Sequence, residues 1–306
     1  MTESKYAYFE GKIVPFGEAK ISIATHALNY GTAAFAGIRG YWNEEKGKLF
    51  LFRPNDHYKR FLSAAKILAM DFKHTPQSLT AITIELLLKE GFNADVYVRP
   101  LCYKADPGIG VRLHDLRDEI SIFAIPFGHY GKNEDSAHVT VSSWRRVDDN
   151  VIPPRGKISG AYANSALIKT DAIRSGFDEA LVLDQNGHVS EGTAMNVFMV
   201  RDGELITPPV NDNILEGITR RSVIELAKNE LGLNVVERSI DRTEVFICDE
   251  LFLTGTAAQV EVVTKVDHRQ VGDGKPGENT IKLKELMSKV VHGQLARYKE
   301  WNVAVE

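Results

Sequence analysis

The residue best placed for covalent chemistry is a lysine between two glycines, in Ile152-Pro153-Pro154-Arg155-Gly156-Lys157-Ile158-Ser159-Gly160. The Pro-Pro pair stiffens the approach and a helix is expected just beyond. The Lys157 amine is therefore presented on a short, rigid turn, as an amine that attacks an aldehyde must be. A lysine in that role has to be brought down from its free pKa of about 10.4 by desolvation or a neighbouring cation. A second segment, Leu215-Glu216-Gly217-Ile218-Thr219-Arg220-Arg221, opens a helix. Gly217 lets the backbone approach a ligand, and the N–H groups of Ile218 and Thr219 point out of the helix end, where phosphate binds well. A third, Thr254-Gly255-Thr256-Ala257-Ala258, ends a strand in small residues that expose amides and a hydroxyl. A fourth, Ser190-Glu191-Gly192-Thr193-Ala194-Met195-Asn196, sets a carboxylate between apolar strands, where burial is costly unless the charge is paired. Each has a plainer reading taken alone: a solvated loop lysine, a helix cap, a bland turn, an exposed turn glutamate. Jointly they offer complementary parts of one site: an amine, a phosphate cradle, a carboxylate and anion-binding amides.

The elements that must position these groups follow from periodicity. Apolar residues at helical spacing predict helices over 56–70 and 77–90, the first capped by Pro54-Asn55-Asp56 and the second stopped at Gly91. Further helices are expected over 161–175, 218–231 and 279–298. Strands are expected over 6–9, 13–15, 95–103, 120–127, 138–144, 179–183, 188–190, 196–200, 234–239, 250–254 and 260–266. The polar, glycine-bearing run Gly128-His129-Tyr130-Gly131-Lys132-Asn133-Glu134-Asp135 reads as part of a linker. The expected class is α+β, with mixed, mostly antiparallel sheets and packed helices in two domains. A small N-terminal domain takes residues 1–127, a linker 128–137, and a large C-terminal domain 138–306.

Bulk properties narrow the chemistry. With 306 residues and a net charge of -4, nothing argues for nucleic acid or an anionic membrane as partner. No apolar run approaches the roughly 20 residues of a membrane span, and residues 1–5 lack a signal-peptide core. Cys102 and Cys248 sit in apolar stretches and read as buried thiols, consistent with a cytoplasmic setting. No Cys/His cluster has zinc-ligand spacing, so no metal is expected. A dinucleotide loop and a Walker loop are both missing.

In order along the chain, these segments resemble the branched-chain amino acid aminotransferases, pyridoxal phosphate enzymes of fold type IV. The resemblance runs through Tyr8-Phe9-Glu10-Gly11, His26-Ala27-Leu28-Asn29-Tyr30-Gly31-Thr32, Phe35-Ala36-Gly37-Ile38-Arg39-Gly40-Tyr41, His57-Tyr58-Lys59-Arg60-Phe61 and Tyr97-Val98-Arg99-Pro100, then the Lys157, Glu191, Gly217 and Thr254–Ala258 segments. It implies that Lys157 is the Schiff-base lysine and proton shuttle, that Glu191 bonds the pyridine nitrogen and that Tyr162 bonds the ring O3′. It assigns the phosphate grip to Arg60, Ile218, Thr219 and Thr256, with Leu215 and Gly217 shaping it. Arg60 on its own also reads as an exposed helix arginine within reach of Asp56. The resemblance gives the substrate carboxylate to Tyr97, Gly255, Thr256 and Ala257. It gives the pocket walls to Tyr30, Phe35, Arg39 and Tyr130, and the side-chain carboxylate of glutamate to Arg99. Tyr97 and Arg99, two apart on one strand, share a face.

The activity implied is ping-pong transamination between leucine, isoleucine or valine and 2-oxoglutarate, in a homodimer or larger assembly with Tyr30 near the subunit interface. The alternatives on the same scaffold are a D-amino acid or (R)-amine aminotransferase and aminodeoxychorismate lyase. Four positions depart from the usual pattern of the family. Ala36 stands for a glutamate, Phe127 for a tryptophan, Ala194 for a glycine and Met195 for a glutamate. They leave the cofactor residues intact and alter the pocket's surroundings.

Overall fold

In a computed structural model the structure describes residues 4–128 and 136–306. The chain divides into two compact units. The first takes the residues up to Gly128 together with Gly156–Gly160 and Val290–Glu306, and the second takes the remainder.

The first unit is built on an eight-stranded sheet in the order Asn302–Ala304, Lys48–Phe52, Ile38–Asn43, Val96–Lys104, Asp118–Pro126, Tyr6–Phe9, Lys12–Pro15, with Ala33–Phe35 also paired to Val96–Lys104. Its pairings are antiparallel. The long strand Val96–Lys104 buries Val96, Val98 and Cys102 on one face, which leaves Tyr97 and Arg99 together on the other. Helices Pro54–Ile67 and Pro76–Glu90 join through a buried hydrogen bond between the Tyr58 and Thr83 hydroxyls. Thr75 and Ser78 close a capping box at the start of the second helix. The buried Glu90 carboxylate accepts from Ser4 Oγ and from the backbone N–H groups of Lys5 and Tyr6, so the first strand is tied to the end of that helix.

The second unit is a nine-stranded mixed sheet in the order Val189–Gly192, Glu179–Leu183, Ala137–Arg145, Gln259–Val266, Glu250–Gly255, Asn196–Arg201, Glu204–Thr207, Asn234–Glu237, with Arg269–Gln270 added to Gln259–Val266. Ala137–Arg145 runs parallel to Glu179–Leu183, and Glu204–Thr207 parallel to Asn234–Glu237. Parallel neighbours need a crossover. Helix Tyr162–Arg174 makes the first and helix Ile218–Glu230 the second. Strand Glu179–Leu183 is buried along its whole length, as a parallel strand covered on both faces must be. The core of the unit packs Val139, Leu181, Val197, Met199, Leu251, Leu253 and Val263. Ligands bind where the carboxyl ends of parallel strands meet the helices that follow, and both crossover helices begin at candidate residues, Tyr162 and Ile218.

The α+β class holds; strands Ala33–Phe35, Ile38–Asn43, Lys48–Phe52 and Glu204–Thr207 are not among those expected, and two of the expectations need correction. The expected helix over 279–298 is Glu278–Val291. It stops before Gly293, whose φ of +68° leaves the helical region, and Asn302–Ala304 becomes an edge strand of the first sheet. Segment Gly156–Gly160, placed by sequence in the C-terminal domain, belongs to the first unit because it pairs with Ala34–Phe35. The expected linker 128–137 falls largely on residues 129–135, outside the described residues.

Candidate active site

Candidate residues fall in both units. In the first, Phe35 N–H donates to the Lys157 carbonyl (3.2 Å) and Ala34 bridges Ile158, so the lysine turn is held as an added edge beside Ala33–Phe35. Gly160 N–H donates to the Gly31 carbonyl, fixing the far end of the turn. Lys157 itself has a φ of +44°. That left-handed conformation is unfavourable for a residue with a Cβ. It persists because both flanks are hydrogen-bonded, and such strain concentrates at functional positions.

The Phe35 ring meets two cations: Lys157 Nζ lies 5.1 Å from its centroid and the Arg99 guanidinium 4.5 Å. Arg99 Nη2 donates to the Tyr97 hydroxyl (3.3 Å), and Tyr97 packs against Phe127 at 5.2 Å. The structure thus brings Phe35, Tyr97, Arg99 and Lys157 together. Arg99 Nε is buried with no hydrogen-bond partner among the described residues, an orphan donor suited to an incoming carboxylate. Arg39, expected to line the substrate pocket, is buried and ion-paired with Asp95 (3.1 Å). It donates to the Gly128 carbonyl and lies over the rings of Tyr41 and Phe127. Tyr30 bonds Gly110 N–H through its hydroxyl (3.1 Å) and packs on His26. Arg60 is half-buried on helix Pro54–Ile67, and the Asp56 carboxylate goes to Arg53 at 2.7 Å. Tyr130 lies outside the described residues.

In the second unit Glu191 is 3% exposed. Its Oε1 pairs with Arg146 Nη2 at 2.8 Å, and Oε2 accepts from Leu215 N–H (3.0 Å) and Asn196 Nδ2 (3.2 Å). Asn196 Nδ2 also donates to the Leu215 carbonyl (2.9 Å). This network ties Glu191 to the segment that opens helix Ile218–Glu230. Gly217 is the N-cap of that helix and supplies no side-chain cap, so the first N–H groups face outward with the positive end of the helix. A Cβ at Gly217 would lie 2.1 Å from Asn196 Oδ1; only glycine fits between the cradle and the carboxylate's support. Thr219 is buried beside it, while Thr256 and Ala257 sit half-buried in the turn after strand Glu250–Gly255. Tyr162 is half-buried at the start of its helix.

Arg146 joins the site without any mark in the sequence: it stands in Trp144-Arg145-Arg146, which reads as a polar strand end. Asn196 closes the Glu191 segment but takes no role from the sequence, where it reads as the start of an apolar strand.

These residues suit pyridoxal phosphate: a glycine-capped helix end for the phosphate, a buried charge-paired carboxylate for a ring nitrogen, and a strained lysine. The chain belongs to the class IV aminotransferases, whose family pattern matches residues 34–266. Within that class it is similar to branched-chain aminotransferases. It is 48% identical to the probable branched-chain-amino-acid aminotransferase of Aquifex aeolicus, over 97% of this chain and 95% of that one. It superposes on the pyridoxal phosphate form of the branched-chain amino acid aminotransferase of Thermobaculum terrenum with a TM-score of 0.95 at 37% identity, covering both chains fully. The branched-chain aminotransferase of the archaeon Thermoproteus uzoniensis, solved with norvaline, gives a TM-score of 0.94 at 39% identity, over 99% of this chain and 100% of that one.

Proposed function

We propose that this chain transfers amino groups between leucine, isoleucine or valine and 2-oxoglutarate, with pyridoxal phosphate carried on Lys157. The observation that carries the reading is the buried Glu191 socket, tied through Asn196 and Leu215 to the uncapped helix end at Gly217. A charge-paired carboxylate and a phosphate cradle in one hydrogen-bonded unit match the two ends of the cofactor. The names and ligands of the relatives support the substrate class.

When bound, pyridoxal phosphate supplies the electron sink that lets a proton leave the substrate Cα. The Ile218 and Thr219 N–H groups and the Thr219 and Thr256 hydroxyls hold its phosphate with Arg60. Tyr162 and Glu191 orient the ring. Lys157 Nζ would hold the cofactor's aldehyde carbon and, as a free amine beside the substrate, would take the Cα proton as base and later return it as acid. The donor leaves as a 2-oxo acid before the acceptor binds. Tyr97 and the Thr256 and Ala257 amides hold the substrate carboxylate, and Phe35 gives an apolar wall for branched side chains. Arg99, whose Nε has no partner among the described residues, takes the second carboxylate of glutamate or 2-oxoglutarate. One pocket thereby serves an apolar and an anionic side chain.

The assembly in this reading is a homodimer or larger. Ile21, Ile23, Leu28, Ile109 and Val111 are exposed on two segments pinned together by Gly108 N–H to the Ala24 carbonyl and by His26 to the Gly110 carbonyl. A cluster of exposed apolar side chains held in place this way suits a second copy of the chain. Both cysteines are buried and free, in keeping with a reducing cytoplasm.

Borohydride reduction of the loaded protein, followed by peptide mass mapping, tests the cofactor assignment. The expected product carries the reduced cofactor on the peptide containing Lys157. A label on another lysine, or none, overturns it.

A further inference from the structure

Glu191 can accept about four hydrogen bonds, two at each oxygen. The protein supplies two, from Leu215 N–H and Asn196 Nδ2, both to Oε2, and Arg146 stands in an ion pair 2.8 Å from Oε1. The remaining capacity lies on Oε1, the oxygen that Arg146 holds. Arg146 is itself fixed. It is 7% exposed, its Nε donates to the Asn213 carbonyl (3.3 Å), its N–H to the Leu183 carbonyl (2.8 Å), and its own carbonyl accepts from Gln185 Nε2 (3.0 Å).

We propose that Arg146 is a positioning residue: it sets the rotamer and balances the charge of Glu191 so that one direction of Oε1 faces the cofactor's ring nitrogen. The inference rests on the reading of Glu191 as the partner of that nitrogen. A buried carboxylate without its cation is strongly unfavourable, and a neutral donor in place of Arg146 would hold the oxygen without balancing it. Lysine would restore the charge but not the planar donor fork anchored at both Nε and Nη2. The backbone bond of Arg146 N–H to the Leu183 carbonyl fixes its Cα beside strand Glu179–Leu183, and the bond from Nε to the Asn213 carbonyl orients its guanidinium.

The test compares Arg146→Met, Arg146→Lys, Glu191→Gln and the double variant Arg146→Met/Glu191→Gln. Three quantities are read on the full chain: the melting temperature without cofactor, the Kd for pyridoxal phosphate, and the pH profile of the bound cofactor's absorbance. Arg146→Met is expected to lower the melting temperature, weaken cofactor binding about tenfold or more and displace the absorbance pH profile. Arg146→Lys recovers part of each. The double variant recovers the melting temperature, because the amide needs no cation, but not the affinity or the profile. Arg146→Met with wild-type affinity and profile, alongside an impaired Glu191→Gln, overturns the proposal and leaves Glu191 in place. Glu191→Gln with wild-type affinity and profile overturns the Glu191 assignment, and the proposal with it.

Discussion

A methyl group added at Gly37 would lie 1.9 Å from the Tyr97 hydroxyl. The phenol therefore occupies its place only because residue 37 has no side chain, and that phenol is bonded to Arg99. Gly37→Ala displaces the far end of Tyr97. The expected result is a fall in kcat/KM for all substrates of about tenfold, the value of one charge-assisted hydrogen bond. Pyridoxal phosphate affinity should stay at the wild-type level. Steady-state kinetics and cofactor titration of one preparation check both halves.

Gly217→Ala has the opposite signature. Its Cβ would meet Asn196 Oδ1 at 2.1 Å, and Asn196 holds both Glu191 and Leu215. Cofactor affinity should drop by about tenfold or more through loss of cradle and carboxylate together. KM for the amino acid, measured at saturating cofactor, should change less. Equilibrium dialysis against pyridoxal phosphate gives the first quantity directly.

Removing the Arg99 guanidinium should separate the two substrate types. In Arg99→Leu the apolar pocket wall at Phe35 persists while the carboxylate's partner is lost. KM for 2-oxoglutarate and glutamate is expected to rise about 10- to 100-fold, with leucine affected by a few-fold at most. Single-substrate half-reactions with leucine and glutamate read the two effects independently.

The acid side of the stability curve carries a contribution from Glu244. Its hydrogen bonds to Arg238 hold its carboxyl at about 2, below the ordinary 4.5. Arg201 adds a further pairing at 2.7 Å. A depressed folded-state value means stability present above the unfolded value and lost as pH falls through the folded one, here from about 4.5 down to 2. Solvent screening near the surface brings the contribution to about 1–2 kcal/mol. Glu244→Gln should destabilise the protein at pH 6, and the gap to wild type should narrow toward pH 3. Denaturant unfolding at the two pH values measures it.

Lys157 stands out in the sequence and Arg146 does not, because the signals differ in range. Pro-Pro, flanking glycines and a following helix all lie within a few residues of Lys157. The same holds for Gly217 and for the turn after Thr254. The meaning of Arg146 comes from Glu191, brought beside it by the parallel pairing of Ala137–Arg145 with Glu179–Leu183 and the antiparallel pairing of Glu179–Leu183 with Val189–Gly192. Sheet partners far apart along the chain leave no local mark. Arg39 shows the same limit: its motif marks it as a substrate contact, while its ion pair with Asp95 leaves no local mark. The end of the last helix failed for a smaller reason. Apolar spacing continues past Gly293, while the backbone there turns left-handed. The five longer helices and most strands follow from periodicity, because those patterns must match the buried face; strands such as Ile38–Asn43 and Lys48–Phe52 are not expected from it.

The most direct test is a half-reaction panel on the loaded protein, following loss of the cofactor's absorbance on mixing with L-leucine, L-valine, L-glutamate, D-alanine or (R)-1-phenylethylamine. A branched-chain aminotransferase with Arg99 as its glutamate contact discharges rapidly with the three L-amino acids and slowly with the other two. Faster discharge by D-alanine or the (R)-amine than by L-leucine and L-glutamate would contradict the substrate assignment.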